Sequence, residues 1–295
     1  MTAPATIPLS AVPSVPFLAL DTVWFQISGT LCNLACTHCF ITCGPTNRRH
    51  AMMSRAETRP YLEEALALGV RDLYFTGGEP FLNRELFDVL EDALAIAPTT
   101  VLTNATLIDA AQAARLRALE RGSRYSLEMR VSLDGLDPAS NDAIRGEGSF
   151  DEAMAGLREL SRAGFDPIVT LAQTWDDAED AAMRARFHDA LRDQGLARPR
   201  VKVLPMFRVG RETERTRGYD PRERLTSGHG VGFDMLKLQC STSRMVTSRG
   251  VYVCPILIES EDALLGRTLR ESLRSFPLAH GACHTCWATG ATCRN

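Results

Sequence analysis

No cysteine occurs between residues 44 and 239, although the 295-residue chain holds nine of them. No apolar run reaches the roughly 18 residues that a bilayer-crossing helix needs, so no membrane partner is expected. Neither sign of charge is in excess: 33 Lys and Arg against 36 Asp and Glu leave a formal net charge of -3. A phosphate backbone is therefore not an expected partner, and no nucleic acid is assigned. Internal repeats and low-complexity tracts are also missing, so the chain is not read as a repeat array. The N-terminus, MTAPATIPLSAVPSVPFLAL, has no basic leading region, and Pro4, Pro8, Pro13 and Pro16 interrupt any helical signal core. It reads as a loosely ordered arm, and the expected location is cytoplasmic. In that reducing compartment a disulfide framework is not expected. Cysteines clustered at the two ends of a chain then argue for metal.

What is present fits a globular protein, with 45% hydrophobic and 23% charged residues. The length suits one large domain, or one domain with a smaller companion. From 22 to 207 the hydrophobic period switches back and forth between two and 3.6 residues. Strands are predicted at 22–29, 71–77, 99–104, 126–135, 167–173 and 200–207. Helices are predicted at 54–69, 83–97, 107–122, 149–164 and 177–195. Ser54 with Glu57, and Ser149 with Glu152, read as capping boxes, and Asn83 as a cap. Six strands with helices between them demand a parallel sheet with right-handed crossovers. Six units are fewer than the eight of a closed barrel. The expected fold is α/β, a partial (βα)6 TIM-like barrel, with its site at the carboxyl ends of the strands.

Four segments follow from this pattern: an arm at 1–21, the barrel at 22–207, a linker at 208–232 and a small cysteine-rich unit at 233–295. The linker is polar and rich in Gly, and it reads as a mobile loop. Arg208, Arg211, Arg215 and Arg217 flank it, interleaved with Glu212 and Glu214. They read as a solvated charged loop, with receipt of an acidic substrate as the second reading. In the last unit, MVTSRGVYVCP reads as a hairpin turning at Arg249 and Gly250, and TLRESLRSF as a short helix.

Cys32, Cys36 and Cys39 follow the first strand with spacings of three and two residues. Three thiolates can hold three irons of a 4Fe–4S cube and leave the fourth iron open to a chelating amine and carboxylate. A zinc site completed by Cys43 or His38 is the alternative. The later strands end in polar groups. Gly77, Gly78 and Glu79 close the second, where glycines admit a close ligand and Glu79 can accept from an ammonium. Thr103 and Asn104 end the third, and Ser132 and Asp134 end the fourth, where they suit ribose hydroxyls.

CNLACTHC, FTGGEP, LTNAT and VSLDG, in this order and on these strands, resemble the radical S-adenosylmethionine superfamily over about residues 22–207. The resemblance implies that Cys32, Cys36 and Cys39 hold a 4Fe–4S cluster. It implies that Gly78 and Glu79 face the methionine amino group of S-adenosyl-L-methionine. Thr103, Asn104, Ser132 and Asp134 would lie along its methionyl and ribose portions. His38 stands where the family has an aromatic residue whose backbone contacts adenine, and Arg145 would reach the cofactor carboxylate or serve as a surface residue. The implied reaction is reductive cleavage of the cofactor to a 5′-deoxyadenosyl radical inside a barrel that excludes water.

Cys240, Cys254, Cys283, Cys286 and Cys293 form the second group. They resemble the SPASM and twitch extensions, which bind auxiliary iron–sulfur clusters. Five cysteines suit one auxiliary 4Fe–4S cluster, held by Cys240, Cys254, Cys283 and Cys286, with Cys293 a ligand or a free thiol. A zinc ribbon is the alternative. Such a cluster would take an electron from a substrate radical or bind the substrate. The expected function is oxidative modification of a small metabolite or a peptide, the peptide delivered by a separate partner. A reducing electron-transfer protein is the other expected partner. A non-enzymatic zinc-binding interaction protein is the reading from another class.

Overall fold

Val23 and Phe25 alternate with Trp24 and Gln26, and the two sets part to opposite faces of one strand, as the period of two requires. The computed structural model describes residues 12–230, 233–234, 237–290 and 293. Along the barrel the order is β1 (Ser14–Val15), β2 (Thr22–Gln26), α1 (Arg55–Ala67), β3 (Asp72–Thr76), α2 (Leu86–Leu94), β4 (Thr99–Thr103), α3 (Ala110–Gly122), β5 (Leu127–Ser132), α4 (Pro138–Arg145), α5 (Ser149–Arg162), β6 (Ile168–Ala172), α6 (Asp180–Asp193) and β7 (Arg200–Leu204). After it come α7 (Glu212–Arg215), β8 (Ser243–Thr247), β9 (Gly250–Tyr252), β10 (Leu264–Gly266), β11 (Phe276–Pro277) and α8 (Gly281–Thr289). The six predicted strands appear as β2 to β7, all parallel, in sequential order.

The register of β2 on β3 sorts the two faces. Phe25 lies opposite Phe75, their rings stacked 5.0 Å apart on the helix side. Trp24 lies opposite Tyr74, stacked at 4.2 Å on the inner side. Leu86, Leu90, Val101, Met154 and Leu157 complete the helix-side core. Each large side chain fully buried there contributes roughly 1.5–3 kcal/mol. The inner face is more polar, because Gln26, Thr76, Arg130, Ser132 and Thr170 project from β2, β3, β5 and β6 into a cavity.

The residues after 233 extend the same sheet. β8 pairs parallel with β2, setting Trp24 opposite Met245, and β9 and β10 add antiparallel strands beyond it. The sheet therefore runs β10-β9-β8-β2-β3-β4-β5-β6-β7. The hairpin at Arg249 and Gly250 forms as expected, with Thr247 opposite Gly250.

Several local expectations are corrected. The arm is fastened over its described part: β1 pairs with β11, and Leu18 N–H donates to the Ser241 carbonyl. Residues 1–11 of the arm and 231–232 of the linker lie outside the described residues. The Ser54–Glu57 capping box is present. The N-cap of α2 is Glu85 rather than Asn83, but Asn83 Oδ1 accepts from Glu85 N–H at the helix entry while its Nδ2 donates to the carbonyls of Ile27 and Met53, tying the cysteine-bearing loop to the sheet. Ser149 lies inside α5, capped by Gly148, and its hydroxyl bonds Asp142. TLRESLRSF forms only a single 3-10 turn at Arg270–Ser272. Three helices were not anticipated, one of them α7 within the presumed linker. α4 carries an Asp137–Ser140 capping box with Pro138 in its first turn, and α8 carries two of the cysteines. Among the described residues no helix is long and apolar enough to cross a membrane.

Candidate functional site

The loop after β2 carries the first cysteine group, and its ends are zipped together. Leu31 bridges Gly44, Cys32 N–H donates to the Gly44 carbonyl and Gly44 N–H to that of Thr30. Gly77 and Gly78 set where this loop lies. A Cβ on Gly78 would sit 2.1 Å from the Leu31 carbonyl oxygen and 2.7 Å from Cys32 Cβ; one on Gly77 would sit 2.0 Å from Ser28 Oγ. The glycines are thus needed for the approach of the cysteine loop, a use the sequence reading assigned to a ligand. Gly78 and Glu79 N–H donate to the carbonyls of Gly29 and Leu31, completing the join.

N–H groups already point at the thiols. Leu34 N–H lies 3.4 Å from Cys32 Sγ, Asn104 Nδ2 3.8 Å from the same sulfur, and Cys43 N–H 3.3 Å from Cys39 Sγ. Burial pushes the Cys32 thiol up to about 12, with Glu79, Cys36 and Cys39 adding to the rise. Burial likewise raises Cys36. Cys39 is lowered by the hydrogen bond from the Cys43 thiol and by backbone N–H groups, and Cys43 is raised in return. Three thiols that repel one another as anions, each within reach of a donor, suit a cationic iron cage whose sulfurs accept hydrogen bonds. These observations fit the cluster site.

Around them Cys32, Cys36, His38, Cys39, Gly78, Thr103, Asn104, Ser132 and Arg145 line one cavity of about 200 Å³. Glu79 and Asp134 stand behind its wall, with no exposed side-chain surface on Asp134 and none on Glu79. Glu79 Oε1 accepts from Phe81 N–H and the Thr103 hydroxyl, and Oε2 from Asn104 N–H. Burial raises its carboxyl to about 7, against the pull of these donors. Asp134 lies 2.6 Å from both His38 Nε2 and Arg145 Nη2. Burial would raise it, but Arg145 and His38 hold it well below the usual carboxylate range. Two buried nitrogens at the wall, His38 Nδ1 and Arg145 Nε, have no hydrogen-bond partner. They fit a polar cofactor, because unpartnered buried polar groups otherwise carry a desolvation cost.

The presumed linker is a strap. Gly210 packs against the cysteine loop so closely that a Cβ would meet the Phe40 carbonyl oxygen at 2.5 Å. Arg211 Nη1 then donates to the Cys36 carbonyl at 2.6 Å and Nη2 to those of Cys43 at 2.7 Å and Thr42 at 3.3 Å. Arg208 pairs with Glu223 and covers the Tyr219 ring, Arg215 contacts Thr37 and Glu212, and Arg217 pairs with Asp220. No sequence periodicity marks this strap, since its bonds go to backbone carbonyls.

Cys240, Cys254, Cys283, Cys286 and Cys293 all line a second, apolar cavity of about 40 Å³. Burial raises Cys240 to about 11 and Cys283 to about 12, and Cys254 and Cys286 well above the ordinary thiol range. Five thiols, Cys283 buried and the others half-buried, with almost nothing polar between them fit a metal cluster that would take them as thiolates. Among the described residues no three His, Cys, Asp or Glu side chains converge on a single-ion site. Pro255, Ile256 and Cys293 line both cavities, so the two cysteine groups face each other across them.

Comparison with known proteins agrees with this geometry. The radical SAM superfamily model matches residues 27–185. The mycofactocin maturase MftC of Mycolicibacterium smegmatis is 34% identical over 167 residues, which span 55% of this chain and 41% of that protein. The pre-heme d1 synthase of Dinoroseobacter shibae is 34% identical over 136 residues, 45% of this chain and 32% of that enzyme. The chain thus spans less than half the length of these relatives. Among solved structures, Streptococcus suis SuiB bound to its precursor peptide SuiA superposes with a TM-score of 0.64 at 17% identity, covering 86% of this chain and 64% of that one. Native anSMEcpe with bound AdoMet gives 0.61 at 16% identity, covering 85% and 80%. The partial-barrel fold is shared with these structures, and by the family match over more than half of its length the chain belongs to the radical SAM superfamily.

Proposed function

We propose that the chain reductively cleaves S-adenosylmethionine and uses the resulting radical to modify a peptide oxidatively. The observation that carries this reading is the single cavity walled by Cys32, Cys36 and Cys39 on one side and by Cys293 on the other. Cys32, Cys36 and Cys39 would hold the first 4Fe–4S cluster, and Cys240, Cys254, Cys283 and Cys286 the auxiliary one, with Cys293 beside it. When bound and reduced, the first cluster supplies the electron that splits the cofactor into methionine and a 5′-deoxyadenosyl radical. The chain's own residues bind and orient. Gly78, Thr103, Asn104 and Ser132 supply the wall. Asp134 fixes His38 and Arg145 so that their unpartnered nitrogens face the cofactor. Glu79 holds the Thr103–Asn104 turn from behind. Trp24, Phe40 and Phe207 exclude water from the cavity.

A peptide is favoured as substrate because a maturase is among the relatives and a peptide-bound enzyme among the structural neighbours. A low-potential electron-transfer protein and a cytoplasmic location complete the reading, with the linker, over its described residues 208–230, strapping the barrel to the unit that follows. Anaerobic reconstitution tests it: about eight irons per chain are expected for two cubanes, with 5′-deoxyadenosine formed under dithionite. Four irons with one zinc would remove the auxiliary cluster. No 5′-deoxyadenosine would remove the radical chemistry.

A further inference from the structure

Arg130 lies on β5 two residues before Ser132, so both side chains face inward, with Arg130 about 6–7 Å deeper in the barrel. It is 1% exposed. Its Nε donates to Thr170 Oγ1 at 3.2 Å and its Nη1 to the Cys293 carbonyl. Both partners are neutral oxygens. Its Nη2 is buried and has no hydrogen-bond partner. A charged guanidinium, buried in a cavity with one donor unmade, is an unstable arrangement unless something anionic completes it. Lys202 stands opposite Thr170 on the edge strand β7, so two cations, Arg130 and Lys202, act on the Cys293 thiol. The cavity onto which Arg130 opens is the one walled by both cysteine groups.

We propose that Arg130 is the receptor for a substrate carboxylate. This deepens the reading above and rests on it for the identity of the cavity as the substrate site. The planar fork of the guanidinium matches a carboxylate, which Nη2 can bind alone or which both Nη atoms can bind if the Cys293 carbonyl moves aside. A substrate held this way stands between the two cysteine groups, below the cofactor wall formed by Thr103, Asn104 and Ser132. The same chemistry is available from the methionyl carboxylate of the cofactor, and the test separates the two sources.

The probe is 4-fluorophenylacetate against its neutral isostere 4-fluorophenylacetamide. Their binding to the reconstituted enzyme is followed by fluorine NMR in the presence of saturating S-adenosylmethionine. The acid is expected to bind at least about tenfold more tightly than the amide. Arg130→Met should abolish that preference, and Arg130→Lys should keep part of it. Equal affinities in the wild-type protein, or an unchanged preference in Arg130→Met, would overturn the proposal. If Arg130→Met does not fold, the wild-type comparison alone decides. Binding of the acid only when S-adenosylmethionine is left out, with weaker cofactor binding in Arg130→Met, would assign the residue to the cofactor and overturn the substrate role. The signal needs no turnover. A protein that bound the acid selectively but formed no 5′-deoxyadenosine would support the carboxylate site and sink the radical reading.

Discussion

Replacing Arg211 with Leu should loosen the cysteine loop selectively. Arg211 donates to the carbonyls of Cys36 and Cys43 at 2.6 and 2.7 Å, and more weakly to that of Thr42 at 3.3 Å. Thr42 has φ of +51°, a left-handed conformation that a β-branched residue adopts only when its surroundings hold it. Hydrogen bonds from a charged donor contribute roughly 1.5–3 kcal/mol each. Two good bonds would give about 3–6 kcal/mol. Partial exposure reduces this, so a loss of about 3 kcal/mol is expected, or about a hundredfold in the open population of the loop. Urea denaturation of the metal-free protein measures the stability. Iron retained after exposure to a chelator measures the loop, with loss expected at the first site and retention at the second. Arg211→Lys should recover part of the effect, since one ammonium can reach fewer of the carbonyls. An unchanged urea midpoint with unchanged iron retention would mean that the strap merely lies against the loop.

Gly78→Ala should prevent loading of the first cluster while sparing the second, because its Cβ would fall 2.1 Å from the Leu31 carbonyl oxygen; full iron content would refute this. Glu79→Ala should lower stability by about 2–4 kcal/mol in chemical denaturation, since it strands the Phe81 and Asn104 N–H groups and the Thr103 hydroxyl in the interior. A small loss of stability with a large loss of cofactor affinity would instead assign the carboxylate to the ligand. Replacing Cys283 and Cys286 together with Ala should remove about four irons and stop substrate modification while 5′-deoxyadenosine still forms; full turnover by a variant whose barrel remains folded would make the auxiliary site a structural clamp.

How much was legible depended on where each signal lies. The six barrel strands and their order follow from hydrophobic period, which survives because each strand buries one face under helices and the other in a cavity. The cysteine spacing and the polar strand ends were legible because each lies within a few residues of its strand. α4 was missed although its signal was present: Asp137-Pro138 with Ser140 opens it and Gly146 closes it. That helix brings Arg145 to Asp134, so the miss left the partner of Arg145 unassigned. The strap could not be read, because Arg211 recognises backbone carbonyls that any sequence would provide. Arg130 was passed over for a different reason. One arginine in an alternating strand looks like its outward, solvated member, although its two-residue spacing from Ser132 places it on the site face.

The pairing of β8 with β2 bears on why two cysteine groups so far apart in sequence can share a cavity. The first group hangs from the carboxyl end of β2. Cys240 and Cys254 flank the β8–β9 hairpin, and β8 lies beside β2 in parallel register with Phe25 opposite Val246. The spacing between the groups is therefore set by a backbone ladder, in which a slip of one residue would turn Trp24 and Met245 to the wrong faces. The strap adds a second tie. Arg211 holds the first loop, while the Tyr219 hydroxyl bonds Thr285 Oγ1 at 2.7 Å on α8, between Cys283 and Cys286. A self-contained zinc ribbon would need neither connection, since its metal alone would order it. Two independent ties that fix one thiol group against the other are understandable where an electron or a substrate must pass between them, because that transfer depends on distance rather than on the integrity of either site alone.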